Sequence, residues 1–188
     1  MNYSYTTLEE RIEAQEAQDR YVASECLKEM LKKGKDLKIT PTPITESVDL
    51  NCSVINLKEK LVQFNVEIKE RSKNQEQLKK YPHAELKVDK YKRMREATKE
   101  GTKLLYMVLL NNQTCLVFDL DNLDWSKVEL RNWYIKRTQM DPNSGYVKTP
   151  TFFIPYELAV VNMDCSSYFK EWETTQTEII TNWETTIA

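Results

Sequence analysis

Residues 60–69 read KLVQFNVEIK, and from Val62 onward apolar and polar side chains alternate. This period of two predicts a β-strand that buries one face and exposes the other. A second stretch, Val48 to Ile55, also has the composition of a strand. About four residues, Asn56 to Glu59, separate the two stretches, and a connection of that length predicts a β-hairpin.

The hairpin determines which side chains meet. Residues two apart on a strand point the same way, so Glu67 and Lys69 share a face. A turn around residues 57–58 pairs positions whose numbers add to about 115, which places Asp49 opposite Val66 or Glu67. Two carboxylates and one ammonium group should therefore converge, and two carboxylates so close repel unless a cation compensates. Such a site suits Mg²⁺, which prefers oxygen ligands and binds together with substrate phosphate.

The tripeptide Asp/Glu-x-Lys has no specificity alone. It occurs three times, as Asp36-Leu37-Lys38, Glu67-Ile68-Lys69 and Glu85-Leu86-Lys87. Chance predicts about as many copies in a chain of this composition. Only the copy at 67–69 ends a well-patterned strand, so we take that copy as the candidate site.

Other elements are predicted on both sides of the hairpin. Before it we expect a helix over Leu8 to Lys33, capped by Thr6 or Thr7, and an extended polar connector over Thr40 to Pro43. After it we expect a loop over Ser72 to Pro82 and a helix over Lys90 to Glu100 capped by Asp89. The remaining predictions are a strand over Leu104–Leu110 buried on both faces, strands over Cys115–Leu120, Trp133–Met140 and Thr151–Ile154, a turn over Asp141–Gly145, and a helix beginning within Pro155–Val161.

This order predicts a mixed α/β or α+β fold with one central sheet. We expect a single domain over residues 1–188, with its core in 8–120, additional strands and a helix in 121–170, and a polar tail in 171–188. The tail is rich in threonine and acidic residues, and its tryptophans and isoleucines form only a weak apolar stripe.

Composition excludes several classes of protein. The 188 residues are 40% hydrophobic and 30% charged, which is typical of one globular domain. No apolar run approaches the ~20 residues of a membrane span, and Met1 to Glu10 is too polar for a signal peptide, so we expect a cytoplasmic protein with no membrane partner. Three glycines exclude glycine-rich phosphate loops. Four scattered cysteines and one histidine, His83, argue against a zinc site, so we expect small buried thiols.

The pattern resembles the PD-(D/E)xK nuclease superfamily, most closely its small phage or mobile-element members and those like Holliday-junction resolvases. Three segments carry the resemblance: Ser47-Val48-Asp49-Leu50, Phe64-Asn65-Val66-Glu67-Ile68-Lys69 and Val88-Asp89-Lys90-Tyr91-Lys92-Arg93-Met94. It covers about 60% of the chain. It implies a restriction-endonuclease-like core in the order αβββαβ, with a central mixed sheet flanked by helices. The proline that names the motif is absent, since Val48 precedes Asp49.

The resemblance also implies roles. Asp49, Glu67 and the carbonyl of Ile68 would bind Mg²⁺, for which Mn²⁺ can substitute, and Lys69 would be the catalytic lysine. Lys90 would lie near the scissile phosphate. Members often add an acid from the first helix, for which we choose Glu16, with Glu13, Asp19 and Glu25 as rivals.

Charge distribution favours a nucleic-acid partner, DNA in our reading. From Lys69 to Lys103 there are 12 basic and 6 acidic residues, whereas the whole chain has a net charge of -2. Such a segment suits phosphate contacts, and a solvated helix face explains it equally well. Cutting both strands would favour a homodimer with two-fold symmetry. The candidate phosphate-binding residues are Lys73, Lys87, Lys90, Lys92 and Arg93.

Three interpretations remain open from sequence. The first is a metal-dependent nuclease. The second is a nuclease-like fold that only binds nucleic acid or protein, which the net acidity and the tryptophan-bearing C-terminal third favour. The third is an unrelated α+β assembly protein, in which the acidic cluster is a surface hairpin. The aromatic residues Trp125, Trp133, Tyr134 and Phe152 are interpreted as core or dimer interface rather than as a base-binding surface.

Overall fold

The computed structural model describes residues 7–43, 46–73, 75–111, 113–136 and 145–187. Within these ranges the helices are α1 (Leu8–Met30), α2 (Gln75–Lys80), α3 (Val88–Ala97) and α4 (Ser166–Ile187). The strands are β1 (Lys35–Pro41), β2 (Leu50–Ile55), β3 (Leu61–Arg71), β4 (His83–Lys87), β5 (Thr102–Leu110), β6 (Thr114–Asp119), β7 (Glu129–Lys136), β8 (Tyr146–Pro155) and β9 (Val161–Asp164).

The strands form two sheets. The larger has six strands in the order β1-β2-β3-β5-β6-β9, and the smaller has three in the order β4-β8-β7. Neighbouring strands are antiparallel except β3 and β5, which are parallel and joined by a crossover that contains α3. The predicted mixed fold is confirmed, and α1, β1–β3, α3 and β5 follow the expected αβββαβ order. The expectation of one sheet was wrong, because β4 leaves the core and pairs with β8.

The six-stranded sheet separates two apolar clusters. On one face α1 and α4 cover the sheet, with Cys26, Leu27 and Phe169 among the buried residues. On the other face α3 and the smaller sheet contribute Met94, Leu86 and Ile154 to the second cluster. Strand β5 lies between the clusters and is buried on both faces, as its unbroken apolar run predicted.

The hairpin has its predicted position and register. Leu50 pairs with Val66 and Ile55 with Leu61, so paired numbers add to 116, within one residue of expectation. The backbone N–H of Asp49 donates to the carbonyl of Val66 at 2.8 Å, which extends the pairing one step beyond β2. The hairpin thus places Asp49 beside Glu67, as the sequence predicted.

Helix α1 confirms its predicted start. The hydroxyl of Thr7 accepts from the N–H of Glu10, and the Glu10 carboxylate accepts from the N–H of Thr7. This reciprocal pair satisfies two donors that the first helical turn leaves unpaired. The helix ends at Met30, three residues before the predicted end, and Lys33 falls in the turn that follows.

Several local predictions were wrong. The connector at Thr40 and Pro41 is the end of β1, which is tolerated because β1 is an edge strand and proline removes no ladder bond there. The loop expected over 72–82 contains α2. Lys87, not Asp89, occupies the cap position of α3, and its side chain makes no capping bond.

The later part of the chain also departs from expectation. The helix expected within 155–161 is a single 3₁₀ turn, Tyr156–Leu158, after which β9 joins the sheet. Strand β7 begins at Glu129, earlier than predicted, and residues 137–140 and 141–144 of the predicted strand and turn lie outside the described residues. Residues expected as a polar tail belong to α4, where Trp172 packs on Tyr21 of α1 with ring centroids 5.2 Å apart.

Candidate functional site

A cleft of about 480 Å³ opens where β3 extends beyond the end of β2. At this point β2 no longer pairs with the edge of β3, and the side chain of Asp49 supplies a hydrogen-bond acceptor in its place. Its Oδ2 accepts the backbone N–H of Ile68 at 2.7 Å. The carbonyl of Ile68 lies on the same edge, because the N–H and C=O of one strand residue point the same way. The bond fixes the Asp49 carboxylate against β3.

Glu67 lies deeper in the cleft. It is 7% exposed, on the face of the sheet that α3 covers, and Nζ of Lys90 on α3 lies 2.9 Å from its Oε2. This contact is an ion pair without hydrogen-bond geometry, and no described residue makes a hydrogen bond to that buried oxygen. Burial and then the nearby Asp49 charge raise the pKa of Glu67, and with Lys90 opposing both the pKa is about 8. The cleft therefore holds a buried carboxyl group whose ionisation needs a cation.

Lys69 lies two residues further along β3 and lines the same cleft. Its side chain is exposed to solvent. Desolvation and the neighbouring charge of Arg71 lower the pKa of Lys69, while Glu67 and Asp49 raise it. The structure thus brings Asp49, Glu67 and Lys69 together, as the hairpin register predicted.

Helix α1 forms the opposite wall. Glu16 and Asp19 both line the cleft, whereas Glu13 and Glu25 line a neighbouring groove. Burial raises the pKa of Asp19 and a hydrogen bond from Gln15 partly offsets this effect, so that the pKa is about 6. The choice among the four acids of α1 therefore narrows to Glu16 and Asp19.

Sequence reasoning missed Arg20. Its Nη2 lies 3.9 Å from Oδ1 of Asp49, and the Arg20 side chain is 19% exposed. The signal was present, because Ile12, Glu16 and Arg20 are spaced by four and such residues share one stripe of a helix. Arg20 places a positive charge beside the outer carboxylate, as Lys90 does beside the inner one.

The donors suit a hard divalent cation. Among the described residues no group of three or more His, Cys, Asp or Glu side chains has the arrangement of a metal site. Two carboxylates and a main-chain carbonyl form the all-oxygen set that Mg²⁺ accepts when waters and substrate phosphate complete its coordination. Glu67 is the buried carboxyl group of this set, and its raised pKa indicates that the one nearby ammonium, of Lys90, does not fully compensate its charge. The residues present therefore fit the ion that the resemblance implies.

Of the five predicted phosphate-binding residues, Lys90 is paired with Glu67, and the other four divide into two groups. Lys87, Lys92 and Arg93 are exposed on the end of β4 and on α3, and the charge of Lys87 reaches Lys69. Lys73 is different: its side chain is 10% exposed, its Nζ lies 3.1 Å from Glu85, and it also donates to the carbonyl of His83. Lys73 thus stabilises the junction between strands and is poorly placed for a ligand.

The cysteines and His83 take no part in the cleft. All four cysteines are buried and free, as predicted. His83 packs on Phe153 with ring centroids 4.6 Å apart, and burial lowers its pKa. This chemistry leaves carboxylates and lysines as the reactive groups of the site.

Among known proteins, the chain is similar to solved structures. No family model and no curated protein matches the chain. A solved structure does. It is Hjc, a Holliday junction resolvase from the archaeal hyperthermophile Archaeoglobus fulgidus, matched over 77% of this chain and 96% of the resolvase. The two are 14% identical with a TM-score of 0.41. The sequence predicted a likeness to resolvase-type proteins, and a resolvase is among the structures it resembles; the fold and site described above stand on this chain's own residues.

No described helix combines the length and the apolar character that crossing a membrane would require.

Proposed function

We propose that this protein is a metal-dependent nuclease that hydrolyses phosphodiester bonds of DNA in the cleft at the end of β2. One observation carries the proposal: two carboxylates, of Asp49 and Glu67, and the ammonium of Lys69 line one cleft beside a basic helix. Phosphodiester hydrolysis needs a cation, a positioned water and a positive charge for the oxyanion, and these groups suit those needs.

The proposed roles follow the position of each group. Asp49 and Glu67, with the Ile68 carbonyl, would hold Mg²⁺ or Mn²⁺. The ion would supply a bound water of lowered pKa and stabilise charge on the phosphate. Lys69 has a lowered pKa, which suits a group that orients the attacking water or neutralises developing charge. Lys90 would leave Glu67 for the scissile phosphate once the carboxylate is otherwise neutralised, and Glu16 or Asp19 would complete the acidic wall.

The test is plasmid cleavage with Mg²⁺ and then Mn²⁺ by the wild type and by Asp49→Asn. This isosteric change keeps an acceptor for the Ile68 N–H and removes the charge. Asp36→Asn on edge strand β1 is the matched control. We expect metal-dependent cutting by wild type and control and none by Asp49→Asn, with equal thermal stability. Full activity in Asp49→Asn would refute the assignment of the site.

A second function is favoured by one specific observation. Each carboxylate already has a basic side chain beside it, Arg20 at 3.9 Å and Lys90 at 2.9 Å. This arrangement also suits a nuclease-like fold that binds DNA without cutting it. Salt-sensitive DNA binding by folded protein, with no cleavage under any divalent metal, would favour that function.

A further inference from the structure

The β7–β8 hairpin carries a surface that the cleft does not explain. Strand β4 pairs with β8 only over residues 151–155, whereas β7 pairs with β8 as far as residue 146. Five residue pairs therefore form a two-stranded arm, ~17 Å long, beyond the end of β4. Large apolar side chains that remain exposed are concentrated on this hairpin: Leu130, Trp133, Tyr134, Tyr146 and Val147.

One face of the arm presents two tyrosines and a lysine. Tyr134 pairs directly with Lys148, and Tyr146 lies two residues before Lys148, so all three share a face. Tyr134 is 65% exposed and Tyr146 is 64% exposed, and Lys148 is exposed as well. Diagonal neighbours on an antiparallel pair lie ~7 Å apart, which puts the two rings side by side.

The same face leads back to the cleft. Phe152, four residues after Lys148, packs on Tyr91 of α3 with ring centroids 5.7 Å apart. The residue before Tyr91 in α3 is Lys90, which pairs with Glu67. At the base of the arm, Thr151 of β8 pairs with Lys87, and both are out of phase with Lys148, so they lie on the opposite face of the sheet. The tyrosine face therefore leads to α3, the helix whose Lys90 lines the proposed active site.

Charge indicates what the arm binds. Residues 129–150 contain four basic and two acidic residues, while the whole chain is net negative. A second copy of the same arm would meet like charge, whereas a phosphate backbone is complementary to it. Exposed aromatic rings stack on bases whose faces are free, and duplex bases are already stacked.

We infer that the β7–β8 arm binds unpaired DNA bases next to the cleavage site, with Tyr134 and Tyr146 stacking on bases and Lys148 contacting phosphate. The inference rests on the proposed nuclease function for its substrate, and it adds a preference for DNA with a single-stranded segment. It also revises the interpretation of Tyr134 as core or dimer interface.

The experiment measures DNA affinity in EDTA, where cutting is excluded, by fluorescence anisotropy with a labelled 20-nucleotide single strand and the matching duplex. We compare wild type, the double variant Tyr134→Ala/Tyr146→Ala, and Tyr134→Phe/Tyr146→Phe. Leu61→Ala, at a residue with the same 64% exposure on the other hairpin, is the matched control. We expect the alanine variant to lose at least about tenfold in single-strand affinity, and the phenylalanine and control variants to stay within about twofold of wild type.

Other results would overturn the inference. Unchanged single-strand affinity in the alanine variant would do so. A loss of affinity for the duplex alone would also do so, because it would indicate that the arm binds as a two-stranded β-ribbon in a groove of duplex DNA. A wild-type dimer that becomes monomeric in the alanine variant on gel filtration would identify the arm as a protein interface. If the wild-type protein never cuts DNA but binds single strands through the two tyrosines, only the proposed nuclease function is refuted. If the wild-type protein cuts DNA and the alanine variant binds single strands as well as it does, only the inference about the arm is refuted.

Discussion

The tripeptides Glu67-Ile68-Lys69 and Glu85-Leu86-Lys87 have the same pattern on strands β3 and β4, yet their glutamates have different surroundings. Glu85 accepts from Nε of Arg71 at 3.0 Å and lies 3.1 Å from Nζ of Lys73. Its main-chain carbonyl also accepts the hydroxyl of Tyr106 at 2.8 Å. Glu85 is thus held by two cations from the β3 end of the larger sheet, and it stabilises the contact between the two sheets.

The charge of Glu67 is compensated by fewer basic groups than that of Glu85, and a neighbouring carboxylate repels it. It faces one ammonium group, from Lys90, and has the carboxylate of Asp49 beside it. A carboxyl group that is buried with incomplete compensation is costly in a folded protein, and such groups cluster at functional sites. The difference teaches that neighbouring strands, rather than the tripeptide itself, separate a structural glutamate from a candidate functional one.

The largest expected effect is a difference in cleavage rate between variants of Lys69 and Lys38, the lysines that end two of the Asp/Glu-x-Lys tripeptides. Lys69→Ala removes the ammonium group of the cleft, and we expect cleavage by saturating enzyme to slow at least about 100-fold, as loss of a charge-stabilising donor does elsewhere. Lys38→Ala, in the third copy on exposed edge strand β1, should stay within about twofold of wild type. Single-turnover cleavage of one DNA substrate measures both, and an equal loss would show that the cleft lysine has no special role.

The next effect is the pH dependence of stability in metal-free protein. The pKa of Glu67 rises from its ordinary 4.5 to about 8 in the folded chain. Between these values the folded protein keeps a proton that the unfolded chain releases, so the free energy of unfolding falls as pH rises, by a few kcal/mol in all. Asp19, with its pKa raised to about 6, adds a smaller fall below that pH.

Glu67→Gln should flatten most of this decline, because the amide does not ionise. Urea unfolding at pH 5 and pH 8 in EDTA measures the difference between wild type and variant. At pH 5 Lys90 faces a neutral group in both proteins, because Glu67 is then protonated in the wild type, and only near pH 8 does the wild type offer Lys90 a carboxylate that the variant lacks. A decline as steep in Glu67→Gln as in wild type would assign the effect to other groups. Adding Mg²⁺ should stabilise the wild type more than the variant at pH 8.

Local pattern was enough to predict the hairpin, its register and the meeting of Asp49, Glu67 and Lys69. Alternation specifies a strand face, and a short turn specifies the register within one residue. It did not predict β1, because threonine and proline in Thr40-Pro41-Thr42-Pro43 resemble a connector when the strand lies at an edge. It did not predict α4, because that helix is rich in threonine and packs on α1 through residues such as Trp172.

Tertiary contacts set the remaining features of the site. That Arg20 lies beside Asp49, and that Lys73 is tied to Glu85, depends on how α1 and the smaller sheet dock on the larger one. The spacing of Ile12, Glu16 and Arg20 shows that they share a stripe of α1, but it does not say which strand that stripe faces. The charge count of residues 69–103 therefore grouped Lys73 with Lys87. In the structure the side chain of Lys73 is 10% exposed and paired with Glu85, whereas Lys87 is exposed.

The smallest expected effect tests the structural glutamate. Glu85→Gln leaves Arg71 and the nearly buried Lys73 without their carboxylate, and we expect a loss of about 2 kcal/mol in the free energy of unfolding. Glu129→Gln, which removes the carboxylate of an exposed pair with Arg131, is the matched control and should leave stability unchanged within error. Cleavage at a temperature where both variants are folded should remain within about threefold of wild type. If Glu85→Gln instead stopped cleavage while its stability was unchanged, Glu85 would have to act on the substrate, and the distinction between the two tripeptides would fail.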